Sequence, residues 1–285
     1  MGYLMIVPAT IFILLLNIYP LLRGIVMSLQ DVTIFNLNKE APFIGLGNFK
    51  ELLSDKAFSG SIVFTLIYTI SVVIFSYLIG LGLALLCQRK FALRGLFRSF
   101  ILVPWVLPVS VAAMSWLWTF APDGIINDFL IQYGFIEEEI LFFSDTTLAK
   151  FSVIAMSVWK GFPFMALTLL AALQTVPQEL YEAAQVDGAN RFQLFLHITL
   201  PNIKEISITT MLLRFIWTLN SFEQVYLLTR GGPVKATEIV SIYSYMMAFS
   251  NNRLSYATTI SVFMMCLLLV GLLISRITKK TGAEG

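Results

Sequence analysis

Apolar runs long enough to cross a bilayer alternate with short polar stretches along the whole chain. Six such runs lie at about 3–28, 61–87, 100–120, 149–173, 205–228 and 256–277. Roughly 20 apolar residues in a helix cross the hydrocarbon, where the backbone must satisfy its own hydrogen bonds. The pattern predicts an all-α integral membrane protein with six transmembrane helices, in one domain over residues 1–285. The first run has no basic leader and no small-residue cleavage site, so it is read as a retained span rather than a signal peptide.

Polar and small residues inside the runs modify this plan. Asn17 and Pro20 predict a bend near the outer end of the first span, and Arg23 lies where it can snorkel to the interface. After that span, residues 43–55 read FIGLGNFKELLSD and predict a short amphipathic helix over 48–53. Ser76, Gly80 and Ala84 recur on one helix face, either as a close helix contact or as a chance feature of a Gly-rich span. Pro104 and Pro108 free backbone carbonyls in the third span, which then lines a pathway or carries a packing kink. The fifth span is polar in its second half, with Trp217, Thr218, Asn220, Ser221, Glu223, Gln224 and Tyr226.

One stretch between spans departs from a simple connector. Residues 177–204 read PQELYEAAQVDGANRFQLFLHITLPNIK and predict two short helices joined at a turn. Thr175 and Gln178 have capping-box spacing, with Pro177 in the first turn. Gly188 ends the first helix, Asn190 and Gln193 cap the second, and Pro201 interrupts it. Small Ala183 and Ala184 allow close packing, Glu182 offers a charge, and Phe192, Leu194 and Phe195 offer apolar contact.

Composition agrees with a membrane protein: 58% of residues are hydrophobic and 13% charged, against about 25% charged in a soluble domain. A net charge of +2 gives no case for nucleic acid, but its distribution sets an orientation. With six spans, Arg89, Lys90, Arg94, Arg98, Arg191, Lys204, Arg276, Lys279 and Lys280 share one side with both termini. Lys39, Lys50, Lys56, Lys150, Arg230, Lys235 and Arg253 fall on the other. The four cations packed into 88–99 place that loop, 177–204 and both termini in the cytoplasm. The acidic stretch 121–148 then faces out.

Several chemistries are excluded by what is missing. There is no G-x-x-x-x-G-K-[ST] loop to cradle a nucleotide, no G-x-S-x-G and no H-E-x-x-H. His197 is the only histidine, so no His-based catalytic or metal cluster exists within the chain. Cys87 and Cys266 lie far apart in apolar runs and read as small buried side chains. The chain has no catalytic residues, metal site or cofactor of its own, and energy for any work must come from a partner.

The order E-A-A, three residues, G, nine residues, I-x-L-P resembles the coupling loop of permeases in binding-protein-dependent ABC importers. Glu182, Ala183, Ala184, Gly188, Ile198, Leu200 and Pro201 fall on it, Asp187 beside the glycine is counted with them as a coupling residue, and in that family the loop docks into a cleft on a separate ATPase subunit. Leu227 to Pro233, LLTRGGP, resembles the L-T-x-G-G-P signature of sugar importers. This outer loop would meet a substrate-delivering binding protein, or it only joins two spans. The resemblance covers nearly the whole chain and implies the type I permease fold of the carbohydrate-uptake class, like the maltose importer's larger permease and the permeases for glycerol phosphate and oligosaccharides.

Further expectations follow from that resemblance. It implies a second, related permease subunit in a heterodimer, two ATPase subunits that hold ATP and Mg, and an external solute-binding protein. The implied location is a bacterial or archaeal plasma membrane. Substrate contacts in the maltose relative map to Ser157, Lys160, Gly161, Phe164, Trp217, Thr218 and Ser221, with different side chains at most of them. Asn220 and Tyr226 are added because amide, hydroxyl and aromatic groups suit a polyol. Lys160 has two readings: contact with an anionic sugar, or pairing with an acid or snorkelling. Glu223 is either a structural hydrogen-bonding group or a substrate contact. Importing glycerol-phosphate-like or other non-sugar solutes is the alternative function; a membrane-embedded enzyme or a channel is a more distant one.

Overall fold

A computed structural model describes the backbone of residues 2–37, 41–89 and 91–281; of these, the side chains of 2–5, 270 and 272–281 are excepted. Lys39 and Lys90, and the side chains of Arg276, Lys279 and Lys280, all used in the charge argument, lie outside the described residues. Among the described residues the structure is helical, with one isolated antiparallel bridge between Gln30 and Phe43. Three helices among the described residues are long and apolar enough to cross a membrane: Ile6–Ser28, Lys56–Gln88 and Thr146–Gln174. A fourth crossing is available if Arg94–Val106 and Val109–Thr119, bent by 95°, count as one span.

The remaining expected runs take a different form. The run at 205–228 is broken: helix Leu200–Leu219 ends, and a separate helix covers Glu223–Thr229. Asn220 explains the stop, because its side-chain amide donates back to the Ile216 carbonyl at 2.9 Å and so competes with the backbone ladder. The run at 256–277 lies on helix Leu254–Thr281, of which Leu254–Leu269 is the described apolar part.

Prolines are accommodated by wide turns. In the first run a π-helical turn, Leu14–Ile18, precedes Tyr19-Pro20. A second, Phe195–Thr199, precedes Leu200-Pro201 in the same register. In each the next backbone N–H reaches one residue further back than in an α-turn, from Tyr19 to Leu14 and from Leu200 to Phe195. The wider turn moves the carbonyls away from the proline ring, so Pro201 does not interrupt the helix as its sequence predicts.

The chain divides into two units. One comprises residues 1–62 and 240–285. Its core is Leu52, Phe58, Val240, Tyr243, Tyr256 and Ile260. The predicted amphipathic helix is present as Gly47–Ser54. Buried Asn48 anchors it by donating to the carbonyls of Ser28 and Gln30, each at 3.0 Å. Asp55 accepts from the hydroxyls of Tyr243 and Tyr256 and from the backbone N–H of Ala57 and Phe58. Burial pushes the Asp55 carboxyl up, but the donated hydrogen bonds outweigh it and hold the group below its ordinary value. Arg253 forms a bidentate pair with Glu51, at 2.7 and 2.5 Å, which with its charge lowers the Glu51 carboxyl. Cys266 is exposed, contrary to the buried reading; its face of the apolar helix is turned outward.

The other unit comprises residues 63–239. Helices Lys56–Gln88, Arg94–Val106, Thr146–Gln174 and Leu200–Leu219 build its core, which includes Leu81, Ala84, Met165, Leu169, Leu173 and Ile203. The small-residue face is part of that packing: Ser76 and Ala84 are buried, and a Cβ at Gly80 would lie 2.5 Å from the Met165 Cβ and 2.9 Å from the Ala166 nitrogen. Asp145 caps Thr146–Gln174 by accepting from Thr147 and Leu148 N–H at 2.8 Å. Arg98 donates to the Cys87 carbonyl at 3.1 Å, at the end of Lys56–Gln88. Fully buried Asn127 ties the acidic 121–148 stretch together, bonding the Ala121 carbonyl and both backbone groups of Ile140.

Candidate functional site

Two sites occupy the 63–239 unit. The first is the pair of helices in 177–204. Helix Gln178–Val186 carries Glu182, Ala183 and Ala184, and ends at Asp187. Gly188 adopts φ +82°, its N–H bonds the Gln185 carbonyl at 3.1 Å, and the Ala189 N–H bonds the Ala184 carbonyl at 2.9 Å. These are the two bonds of a Schellman cap, whose left-handed position favours glycine. Asn190 then starts the next helix through a reciprocal capping box with Gln193, as its spacing predicts. Thr175 does not cap: its hydroxyl bonds back to the Ala172 carbonyl at 2.8 Å, and Pro177 takes the N-cap position.

The two helices are tied by the Tyr181 and Thr199 hydroxyls, 3.1 Å apart. Between them lies a surface concavity of ≈ 390 Å³ whose lining includes Ala184, Asp187, Gly188, His197 and Ile198. Leu200 and Pro201 open the helix that leads from this pair into the core. Of the three predicted apolar contacts only Phe192 is presented, at 68% exposure. Leu194 is buried and Phe195 packs on the core. Val186, 87% exposed, takes their place; it stands next to the turn, the one sequence signal that could have drawn attention to it.

The second site is a cavity of ≈ 370 Å³ beside the break after Leu219. Trp217, Thr218, Asn220 and Ser221 line it, together with Val109, Arg214 and Glu223–Gln224. Tyr226 stacks on Phe222, itself a lining residue, with centroids 4.8 Å apart. Phe164 packs against Trp217 at 4.9 Å and Trp105 at 6.3 Å, so an aromatic cluster adjoins the cavity. Ser157 sits behind the wall, 1% exposed, within 2.7 Å of the Tyr68 hydroxyl and 3.1 Å of Gln224 Oε1.

Lys160 is held by backbone carbonyls, and Glu223 is the acid whose charge acts on it. The lysine is buried, and its ammonium donates to the carbonyls of Pro104 at 3.3 Å and Leu107 at 2.6 Å. These are carbonyls left open where Pro108 breaks Arg94–Val106 from Val109–Thr119. A cation at a helix C-terminus satisfies the orphan acceptors and the dipole together. Gly161 lies against Arg214: a Cβ there would overlap the guanidinium. Arg214, which donates to the Ser157 carbonyl at 2.8 Å, was missed because its place in span 5 gave no sign that it faced a cavity.

Beyond Thr229, the LLTRGGP segment forms a defined turn, with Arg230 and Gly231 at positive φ. The Thr229 and Thr237 hydroxyls meet at 2.6 Å, and Thr237 donates to the Gly232 carbonyl at 2.7 Å.

Comparison with known proteins follows the same lines. Residues 76–281 match the family model described as binding-protein-dependent transport system inner membrane component. The chain is 34% identical over 268 residues, 94% of its length and 86% of the relative's, to the sulfoquinovosyl glycerol transport system permease protein SmoG of Agrobacterium fabrum. It is 36% identical over 247 residues, 86% and 82% of the two lengths, to the trehalose/maltose transport system permease protein MalF of Thermococcus litoralis. A chain of a bacterial alginate ABC transporter, in complex with alginate pentasaccharide-bound periplasmic protein, superposes with a TM-score of 0.83 at 25% identity, covering 97% of this chain and 94% of that one. With its paired helices in 177–204 and a polar cavity set among apolar helices, this chain belongs to the family of inner membrane components of binding-protein-dependent transport systems.

Proposed function

We propose that this chain is a transmembrane permease subunit of an ABC importer and forms half of the pathway for a sugar or oligosaccharide delivered by an external binding protein. The observation that supports this best is the cavity: amide, hydroxyl and indole groups converge in a chain otherwise built of apolar helices. Polar groups at membrane depth are costly and are kept where a pathway needs them. Trp217 offers an apolar face to a sugar ring, while Asn220, Ser221 and Gln224 offer hydroxyl partners.

In this reading the chain crosses the bacterial or archaeal plasma membrane six times, with both termini and the 177–204 helices in the cytoplasm. A related permease completes the pathway. Two ATPase subunits bind ATP and Mg, hydrolyse the nucleotide and press on the concavity beside Gly188. The chain itself is not an enzyme. Closure of the ATPases switches the cavity from inward to outward access, and the loaded binding protein discharges into it through differential affinity for the two states.

The test is reconstitution. The complex, purified through this chain, should contain an ATPase whose rate rises when a sugar-loaded binding protein is added. Stimulation by a non-sugar ligand would keep the importer and change its cargo to the glycerol-phosphate-like class. If no ATPase co-purifies and nothing stimulates hydrolysis, the importer reading fails.

A further inference from the structure

We infer that Arg214 makes the cavity selective for sugars that carry an oxyanion: a carboxylate, sulfonate or phosphate. This rests on the importer reading and names the chemical class of its cargo. Arg214 lines the cavity, and among the described residues only the Ser157 carbonyl gives it an acceptor. Its Nε is buried with no hydrogen-bond partner. Among the described residues no carboxylate forms an ion pair with it; the one pair is Arg253 with Glu51, in the other unit.

The surroundings favour an anion. Thr218, 3% exposed on the same wall, has a hydroxyl without a partner, a second donor not committed to the protein. Lys160 adds positive charge close by, since the carbonyls that hold its ammonium do not neutralise it. Glu223 is the lining acid and acts on Lys160, whose charge it offsets, whereas among the described residues no carboxylate acts on Arg214. A guanidinium is a planar fork of donors that fits carboxylate, sulfonate or phosphate oxygens, and a buried cation left unpaired is costly. Gly161 leaves the space that the guanidinium occupies, where any side chain would displace it. Trp217 beside it supplies the ring-stacking surface, so the cavity offers one surface for a sugar ring and one charge for its acid.

The experiment measures ATP-dependent uptake by the complete reconstituted transporter. The probes are a glucuronosyl disaccharide, its neutral methyl ester, and the corresponding sulfonated and phosphorylated sugars. Wild type should prefer at least one acid over the ester. Arg214→Gln should lower that acid-over-ester ratio about tenfold or more, because a hydrogen-bonded charge pair is lost. Arg214→Lys should retain part of the preference, and Gly161→Ala should reduce it. If wild type takes the ester as well as every acid, or Arg214→Gln lowers acid and ester uptake alike, the inference is overturned and Arg214 serves only to hold the Ser157 carbonyl. If no sugar enters at all, the importer reading has failed. Equilibrium binding of the labelled acid to the purified complex then decides the anion site alone: binding lost in Arg214→Gln supports it, and no binding to wild type refutes it.

Discussion

A buried lysine in a membrane protein is usually read as a functional charge, yet Lys160 caps a helix. Its ammonium holds two carbonyls that Pro108 leaves open, and it gives the break between Arg94–Val106 and Val109–Thr119 a fixed partner on a third helix. Lys160→Met keeps the apolar stem and removes the donor. The Pro104 and Leu107 carbonyls then stay buried and unpaired, so the purified protein should lose about 1–3 kcal/mol of stability. Thermal unfolding in detergent measures this. A variant as stable as wild type would mean that water replaces the ammonium. The two cations of the cavity region thus differ in role: Lys160 serves the fold, and Arg214 is the one proposed to meet cargo.

At the level of elements, Asp55 is the joint on which three helices meet. It opens Lys56–Gln88 through backbone bonds and accepts from Tyr243 in Val240–Tyr245 and from Tyr256 in Leu254–Thr281. Because its folded carboxyl titrates below the unfolded one, it stabilises the fold above the ordinary value of about 4, and the contribution is lost as pH falls through the lower folded value. Hydrogen-exchange protection over residues 47–62, taken relative to the intrinsic amide rate at each pH, should therefore fall on acidification through that window in wild type. Asp55→Asn should show weak protection already at neutral pH and little further change. The neighbouring Glu51–Arg253 pair is solvent-exposed, so Glu51→Gln should alter stability by less than about 1 kcal/mol. A larger loss there would mark the pair, rather than Asp55, as the joint.

For the whole molecule the proposed property to test is coupling between chains. Gly188 has open space where a Cβ would go, so its constraint is the left-handed backbone and the N–H bonded to Gln185. Proline can supply neither. Gly188→Pro should leave the chain in the membrane, because the core of the 63–239 unit lies elsewhere. It should also disconnect ATP hydrolysis from uptake in the assembled complex. Gly188→Ala, strained by about 1–2 kcal/mol, should fall between. Charge reversal at exposed Glu182, by Glu182→Lys, should act like the proline variant if a basic partner reads that carboxylate. Unchanged ratios of uptake to hydrolysis in these variants would remove the loop from the coupling path.

The same scales separate what the chain announces from what it hides. Hydrophobic runs, the 177–204 pair, the Gly188 turn, the Asn190 cap and the short helix after the first span were legible, because each depends on neighbouring residues and backbone geometry. The sequence also placed Trp217, Thr218, Asn220 and Ser221 on one feature, and they line one cavity. Tertiary structure alone decided the rest. Whether Leu194 and Phe195 face a partner depends on the core they meet instead. Which cation is free depends on carbonyls some 50 residues away in the chain, where Pro104 and Leu107 claim Lys160 and no carboxylate claims Arg214. Local order follows from sequence because its hydrogen bonds are local; the availability of a charge is set by whatever the fold brings beside it.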